Sequence, residues 1–478
     1  MTVTGIVFII YLAILIIVGI ATFRYNKTQE DYLLAGRKLG PVIVAFSERA
    51  SGESAWLLLA LPGAAILIGM GEIWTVIGII SGAISSWYII ATRLREETDK
   101  YDALTIPQYL HRKYQDNSNI IRLFSSFIIA FFFAFYVSAQ FHASGKILNS
   151  IFGLSPLTGI TIGAIIIVAY TLMGGFFAVA WTDLIQGIIM ICTLVILPVA
   201  GFIELRETGI SVTQSLVNAS NNQSSLTMGL TGWAAVSLIV GGLSWGLGYF
   251  GQPHLIIRYM SIRRASDIKI ARKIVVAWSI PGITGAFLIG IVALAMFGEG
   301  FFADVEQAMP YLAMHLLPAW IAGIVISGAV AAMMSTADSQ LLVSTSAITV
   351  DFYNRFLKRK ISDRSMVRLS RMVTIGFGIF AYIIAIISQL TDKSIFGVVS
   401  YAWSGLGSSF GPALILTLWW KGTTRRGVIA GIITGAISTV IWANITILQT
   451  AVTERFVSFI LAFIAVVIVS FLDRSKSK

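Results

Sequence analysis

Apolar stretches of about twenty residues, each able to cross a ~30 Å hydrocarbon core as a helix, recur from end to end of this 478-residue chain. A helix in lipid satisfies its own backbone polar groups, so the pattern implies an all-α polytopic membrane protein. Composition agrees. Only 12% of residues are charged and 56% are hydrophobic, whereas a soluble chain carries roughly 25% charged residues to cover its surface. No stretch is polar and long enough to be a separate soluble domain, so residues 1–478 read as a single transmembrane domain.

The net charge of +11 invites comparison with nucleic-acid binders, but the basic residues sit in short loops between apolar runs. That is how membrane orientation is set, and no nucleic-acid partner is expected. Cys192 is the single cysteine, which excludes an intramolecular disulfide. The first run, Gly5 to Phe23, lacks a basic leader and a small-residue cleavage site, so it reads as a retained helix.

About thirteen spans follow from counting runs, near 5–23, 40–71, 74–93, 119–146, 154–173, 178–203, 229–252, 271–298, 311–347, 368–389, 394–419, 424–447 and 452–472. Alternate loops collect the basic residues: Arg24, Lys27, Arg37 and Lys38; Arg93 to Lys113; Arg258 to Lys273; Arg355 to Arg371; Lys421, Arg425 and Arg426; Arg474 to Lys478. The opposite loops hold Glu299, Asp304 and Glu306, or almost no charge. The expectation is an outside N-terminus and an inside C-terminus, which an odd span count satisfies.

Two spans look interrupted. One passes through Ser47–Ser54, with Glu48, Arg49 and Glu53 near mid-depth; the other passes through Ser244–Pro253, with three glycines and a proline. Broken helices at matching places in two halves mark an inverted-repeat transporter. The halves would be five-helix repeats of opposite orientation, about 40–203 and 229–419, with peripheral helices at 5–23, 424–447 and 452–472. The alternative is that glycine merely eases close packing of helices, but three charges in the first break argue for function.

The run Gly328–Gln340 places Ala332, Ser335 and Thr336 at i, i+3 and i+4, on one helix face. Their oxygens, with carbonyls of Ala50 and Glu53 from the facing break, make a five-oxygen set suited to a hard cation. Each hydroxyl can instead bond its own helix carbonyl. Asp338 and Ser339 lie one turn further on, and with Asp183 they can form a second cation site. Asp183 can alternatively serve the dipole of its own helix start.

Several stretches in order, Asp31–Arg37, Trp56–Gly63, Ala180–Asp183, Trp245–His254, Gly328–Gln340 and Ser400–Gly405, resemble the sodium/solute symporter family, most closely its sodium/proline symporters. The resemblance implies a leucine-transporter-type fold and Na⁺ as coupling ion. Na⁺ would be held by Ala50, Glu53, Ala332, Ser335 and Thr336. It further implies, for some members, a second Na⁺ at Asp183, Ser335, Asp338 and Ser339, so that two ions move per solute. The solute cavity would be lined by Ser54, Ala55, Trp56, Tyr136, Trp245, Tyr249 and Pro253, with Gln140 beside them.

The sequence departs from the proline carriers around that cavity. Glycine stands at Gly52 where they have aspartate, an acid follows at Glu53, and Glu48-Arg49 replaces small residues. Glu53 is expected to accept a hydrogen bond from Gln140, His142 or the amine of the solute. The function read from the sequence is Na⁺-coupled import of a small organic solute, proline or a related amino acid, by alternating access. Another solute (a sugar acid, betaine or other carboxylate) and proton coupling stay open. A channel lacks support for want of a repeated pore loop, and an enzyme for want of a nucleophile or metal-binding histidine cluster. The expected location is the cytoplasmic membrane, the inner membrane of a bacterium. The expected partners are the solute and membrane lipid, with no obligate protein partner.

Overall fold

The computed structural model describes residues 2–22, 34–173, 175–220, 222–349 and 363–475, and within them all regular elements are helical apart from one bridge pairing Leu39 with Ile262. Asp31, Tyr32 and Leu33 of the first motif lie outside the described residues, as do Arg24, Lys27, Arg355, Lys358, Arg359, Lys360, Lys476 and Lys478.

The helices that matter are α1 (Val3–Thr22), α2 (Pro41–Gly52), α3 (Leu61–Ile68), α4 (Ile73–Ser86), α5 (Thr92–Lys100), α6 (Ile120–Phe152), α7 (Pro156–Met173) and α8 (Phe176–Glu207). Then come α9 (Gly232–Leu243), α10 (Trp245–Gly248), α11 (Pro253–Ser261), α12 (Ile268–Phe297), α13 (Ala319–Ser346), α14 (Asp363–Leu390), α15 (Ile395–Trp419), α16 (Arg425–Asn444) and α17 (Glu454–Ser475).

Among the described residues eight stretches are long and apolar enough to cross a membrane, or nine if the bent pair Gly232–Gly248 and Pro253–Ser261 is one span. Val3–Val18 and Pro156–Leu172 are apolar but shorter. Part of the difference from thirteen runs is that Trp56–Lys100 counts as one stretch of 45 residues. Straight, it would reach roughly 68 Å, twice the hydrocarbon core. Gly69 interrupts it with φ +64°, and a Cβ there would stand 2.3 Å from the Gln223 carbonyl oxygen. Gln223 locks this turn: its carbonyl accepts from Met70 N–H at 2.8 Å and its side-chain amide donates to the Ile66 carbonyl at 2.8 Å.

The first interruption is narrower than the sequence suggests. Helix α2 persists through Gly52, and only at Glu53 (φ −104°, ψ 74°) does the backbone leave it before the chain turns helical again at Ala55. Glu48 and Arg49 neutralise each other, so their charges do not require the helix to open. The second interruption is a 40° bend across Tyr249–Gln252, with Pro253 starting α11. The ninth run is also split, because Pro318 precedes α13 and separates it from the short helix Ala308–Leu316.

Helix α2 packs against α8, α12 and α13, so its broken end is enclosed on several sides. Helix α4 crosses α9 and α10 where glycines face: a Cβ on Gly82 would lie 2.3 Å from the Gly246 Cα. Only hydrogen atoms at both positions let the backbones approach so closely. Helices α16 and α17 pack on each other and on α15.

Candidate functional site

The end of α2 meets the middle of α13 through hydroxyls and carbonyls. Ser335 Oγ lies 2.7 Å from the Ala50 carbonyl oxygen and 3.2 Å from that of Ala332, and Thr336 Oγ1 donates to the Ser51 carbonyl at 3.0 Å. All of these residues are buried. The cross-helix bond of Ser335 is thus shorter than the bond to its own helix. Glu53 is buried at the break, where its non-helical ψ turns its carbonyl away from the α2 ladder. Every donor in this set is oxygen, as a hard cation requires. Among the described residues no group of three His, Cys, Asp or Glu side chains could hold a metal. The Ser51 carbonyl was not expected; its signal was adjacency to Ala50 at a helix end.

A second cluster gathers around Asp183. Its Oδ2 accepts from Ser47 Oγ at 2.6 Å, Ser51 Oγ at 3.2 Å and the Arg258 guanidinium at 3.1 Å. Its Oδ1 has no hydrogen-bond partner. Arg258 also donates to the hydroxyls of Ser339, Ser51 (2.6 Å) and Ser47 (3.1 Å). Sequence reading placed Arg258 among the loop charges, and the structure corrects this: all nine residues of α11 are buried and Arg258 is 0% exposed. The clue was Pro253, which starts a helix and puts Arg258 in its second turn. Asp183 is eight residues into α8, with its carboxylate in an ion pair rather than capping the helix start. Asp338 is held apart, its Oδ1 accepting from Thr171 Oγ1 at 2.6 Å. Of the four residues expected for a second cation, Asp183 and Ser339 share Arg258, while Ser335 turns to Ala50 and Asp338 to Thr171.

A third cluster adjoins the break. Arg49 pairs with Glu48 at 2.5 Å and Glu53 at 2.8 Å, with all three side chains at 0% exposure. Glu48 also accepts from Trp87 Nε1 at 3.1 Å, and the Tyr249 hydroxyl donates to Glu53 Oε1 at 3.2 Å. Glu53 is therefore partnered by Arg49 and Tyr249, not by Gln140 or His142. Gln140 instead accepts from Ala55 N–H at 3.1 Å, closing the backbone at the break, while His142 lines a different cavity. Glu53 Oε2 has no hydrogen-bond partner.

Aromatic rings cover this cluster. Trp56 and Trp245 stack with centroids 5.6 Å apart, Tyr249 meets Trp403 edge-on at 4.8 Å, and Tyr136 reaches Trp403 at 6.4 Å. Ser54 Oγ donates to the Tyr136 hydroxyl at 3.4 Å. Trp403 is a member that sequence reading missed as a wall residue, although it stood within a matching motif. Pro253 lies against Ile129, Ile257 and Val343 at a small apolar cavity. A larger cavity of about 750 Å³ is lined by His142, Lys146, Asp304, Glu306 and Phe396 among others, and Phe396 packs on Trp245 at 5.0 Å. Lys146 pairs there with Asp304 and Glu306, each at 2.6 Å.

Comparison with known proteins gives a consistent result. The model of the sodium:solute symporter family matches residues 32–435. The high-affinity proline transporter PutP of Bacillus subtilis is 38% identical over 467 residues, 97% of this chain and 97% of that protein. The sodium/proline symporter of Escherichia coli K12 is 36% identical, covering 98% of this chain and 93% of that one. Among solved structures, a Na⁺-coupled sialic acid symporter in its substrate-bound outward-open state superposes with a TM-score of 0.81 at 20% identity, over 99% of this chain and 98% of that chain.

Proposed function

The chain belongs to the sodium:solute symporter family, and from that premise we propose that it imports proline, or an amino acid much like it, together with Na⁺ by alternating access. It is a multi-pass membrane transporter and not an enzyme. The observation that carries the reading is the convergence of the Ser335 and Thr336 hydroxyls on the α2 carbonyls of Ala50 and Ser51, just before the break that leads to Trp56 and its stack on Trp245. Ala50, Glu53, Ala332, Ser335 and Thr336 hold Na⁺ in this reading, with the Ser335 hydroxyl keeping its proton but turning it away from the Ala50 carbonyl so that both oxygens face the ion. The rings of Trp56, Tyr136, Trp245 and Tyr249 receive the pyrrolidine ring, and the free Glu53 Oε2 faces its ammonium.

The same reading takes thirteen spans, counting Trp56–Lys100 as two crossings and adding the shorter helices and α15. Repeats at about 40–203 and 229–419 then rock against each other around the site. Basic loops face the cytoplasm, with the N-terminus outside and the C-terminus inside. The 750 Å³ cavity holding Asp304 and Glu306 lies on the outer side in this orientation, as an entry vestibule above Phe396 and Trp245. The bacterial relatives support placement in the cytoplasmic membrane.

Ion and solute must bind cooperatively for one gradient to drive the other. Proteoliposomes holding the purified chain are expected to accumulate labelled proline under an inward Na⁺ gradient and not under an equal K⁺ gradient. Accumulation of a betaine or sugar acid in place of proline would replace the solute, and accumulation indifferent to Na⁺ would remove the ion. Trp245→Ala and Tyr249→Ala are expected to weaken solute binding roughly tenfold to hundredfold, the range of buried aromatic anchors. Na⁺ binding measured without solute should change far less. Equal losses in the two assays would mean that the rings only hold the helices in shape.

A further inference from the structure

We infer that Arg258 is a tethered cation occupying the place of a second Na⁺, so that the protein binds one Na⁺ and not two. The inference rests on the sodium reading above. Its basis is the set of groups around one guanidinium nitrogen. Arg258 Nη2 is met by the Asp183 carboxylate at 3.1 Å, the Ser51 hydroxyl at 2.6 Å and the Ser339 hydroxyl, all within a fully buried site. A carboxylate and two hydroxyls are also what a bare Na⁺ would use. The two cations compete for the same oxygens and for the same single negative charge.

Arg258 has two advantages in that contest. It is covalently attached, so binding costs no loss of translational freedom, and its charge is fixed at every accessible pH. Its remaining donors are satisfied too, by the Ser47 hydroxyl at 3.1 Å and by the His254 carbonyl. Asp338 stays outside this shell with Thr171. The tether also reaches the proposed Na⁺ site. Ser51 gives its hydroxyl to the Arg258–Asp183 cluster while its carbonyl accepts from Thr336, and Ser339 donates to the Ser335 carbonyl at 2.8 Å. Arg258 is accordingly a positioning residue for the first ion as well as a substitute for the second.

Removing the guanidinium while keeping Asp183 leaves a buried carboxylate, its free Oδ1 and the hydroxyls of Ser51 and Ser339 without a cation. Such a site should recruit one. Labelled Na⁺ binding to the full chain in detergent, at saturating Na⁺ and without solute, counts the ions directly. The expected counts are one per chain for the wild type, two for Arg258→Gln and one again for Arg258→Gln with Asp183→Asn. A purely structural ion pair would leave all three counts equal. Two ions in the wild type, or one in a folded Arg258→Gln chain, overturns the inference. No Na⁺ at all in the wild type overturns the sodium reading itself. If Arg258→Gln does not fold, the wild-type count still decides, together with the melting temperatures of the charge variants. The double variant must melt above Asp183→Asn alone, which buries an unpaired guanidinium, and a lower melting point overturns the pairing.

Discussion

Ser335→Ala is expected to weaken Na⁺ binding roughly tenfold to hundredfold, and Thr336→Ala by a similar factor. Each removes one of five proposed oxygens, and a bond from a protein group to a charge is worth about 1.5–3 kcal/mol, or about one to two powers of ten in affinity. The geometry makes compensation difficult. Ser335 Oγ sits 2.7 Å from the Ala50 carbonyl in a site with 0% exposure at both residues, so water has no ready path to replace the lost ligand. Folding should suffer less, since each hydroxyl contributes one ordinary hydrogen bond, worth about 1 kcal/mol net. Titrating Na⁺ against the intrinsic tryptophan fluorescence or the melting temperature gives the affinity. Na⁺ affinities within a factor of two of wild type in both variants would remove these residues from the site.

Arg49→Met is expected to destabilise the protein by about 3–5 kcal/mol, the range for removing one member of a buried ion pair. Two carboxylates depend on this guanidinium: Glu48 at 2.5 Å and Glu53 at 2.8 Å, each fully buried. Without it both acids lose their cation in an interior where unpaired charge is poorly tolerated. Arg49 also lies over the Tyr249 ring at 5.4 Å, so the loss should reach the solute cavity. The matched control is the triple variant Glu48→Gln, Arg49→Met and Glu53→Gln, which removes the whole charge set and should recover much of the stability. Thermal unfolding in detergent measures both. A single variant as stable as wild type would mean that the two acids do not depend on Arg49. A triple variant less stable than the single one would mean that shape, rather than charge, is what the cluster supplies.

Much of this architecture is legible in the amino-acid order because helices in lipid are governed by properties running along one chain. Twenty-residue apolar runs, glycine and proline at two breaks, and hydroxyls at i, i+3 and i+4 all report what one helix does by itself. The shared face of Ser335 and Thr336 was readable for that reason, whereas the meeting with the Ala50 carbonyl on another helix was an expectation that rested on the facing break and the family resemblance, and the Ser51 carbonyl was not expected. The length of the Ser47–Ser54 break was not readable, because local polarity cannot show that Glu48 and Arg49 cancel and leave α2 intact to Gly52. Of the protein partners of Glu53, Arg49 stands four residues before it, one helical turn away, whereas Tyr249 lies 196 positions away and meets it only after folding, in place of the expected Gln140 or His142. Arg258 is the sharpest case. By its distance from the apolar runs it counts as a loop charge, yet α11 carries it into the interior to meet side chains of α2, α8 and α13. The sequence alone determined that this is an all-helical membrane transporter with two broken helices and an oxygen-rich face. Which charges neutralise which was decided by tertiary structure, because electrostatic pairing depends on distances through space, and those are set by how separate helices pack.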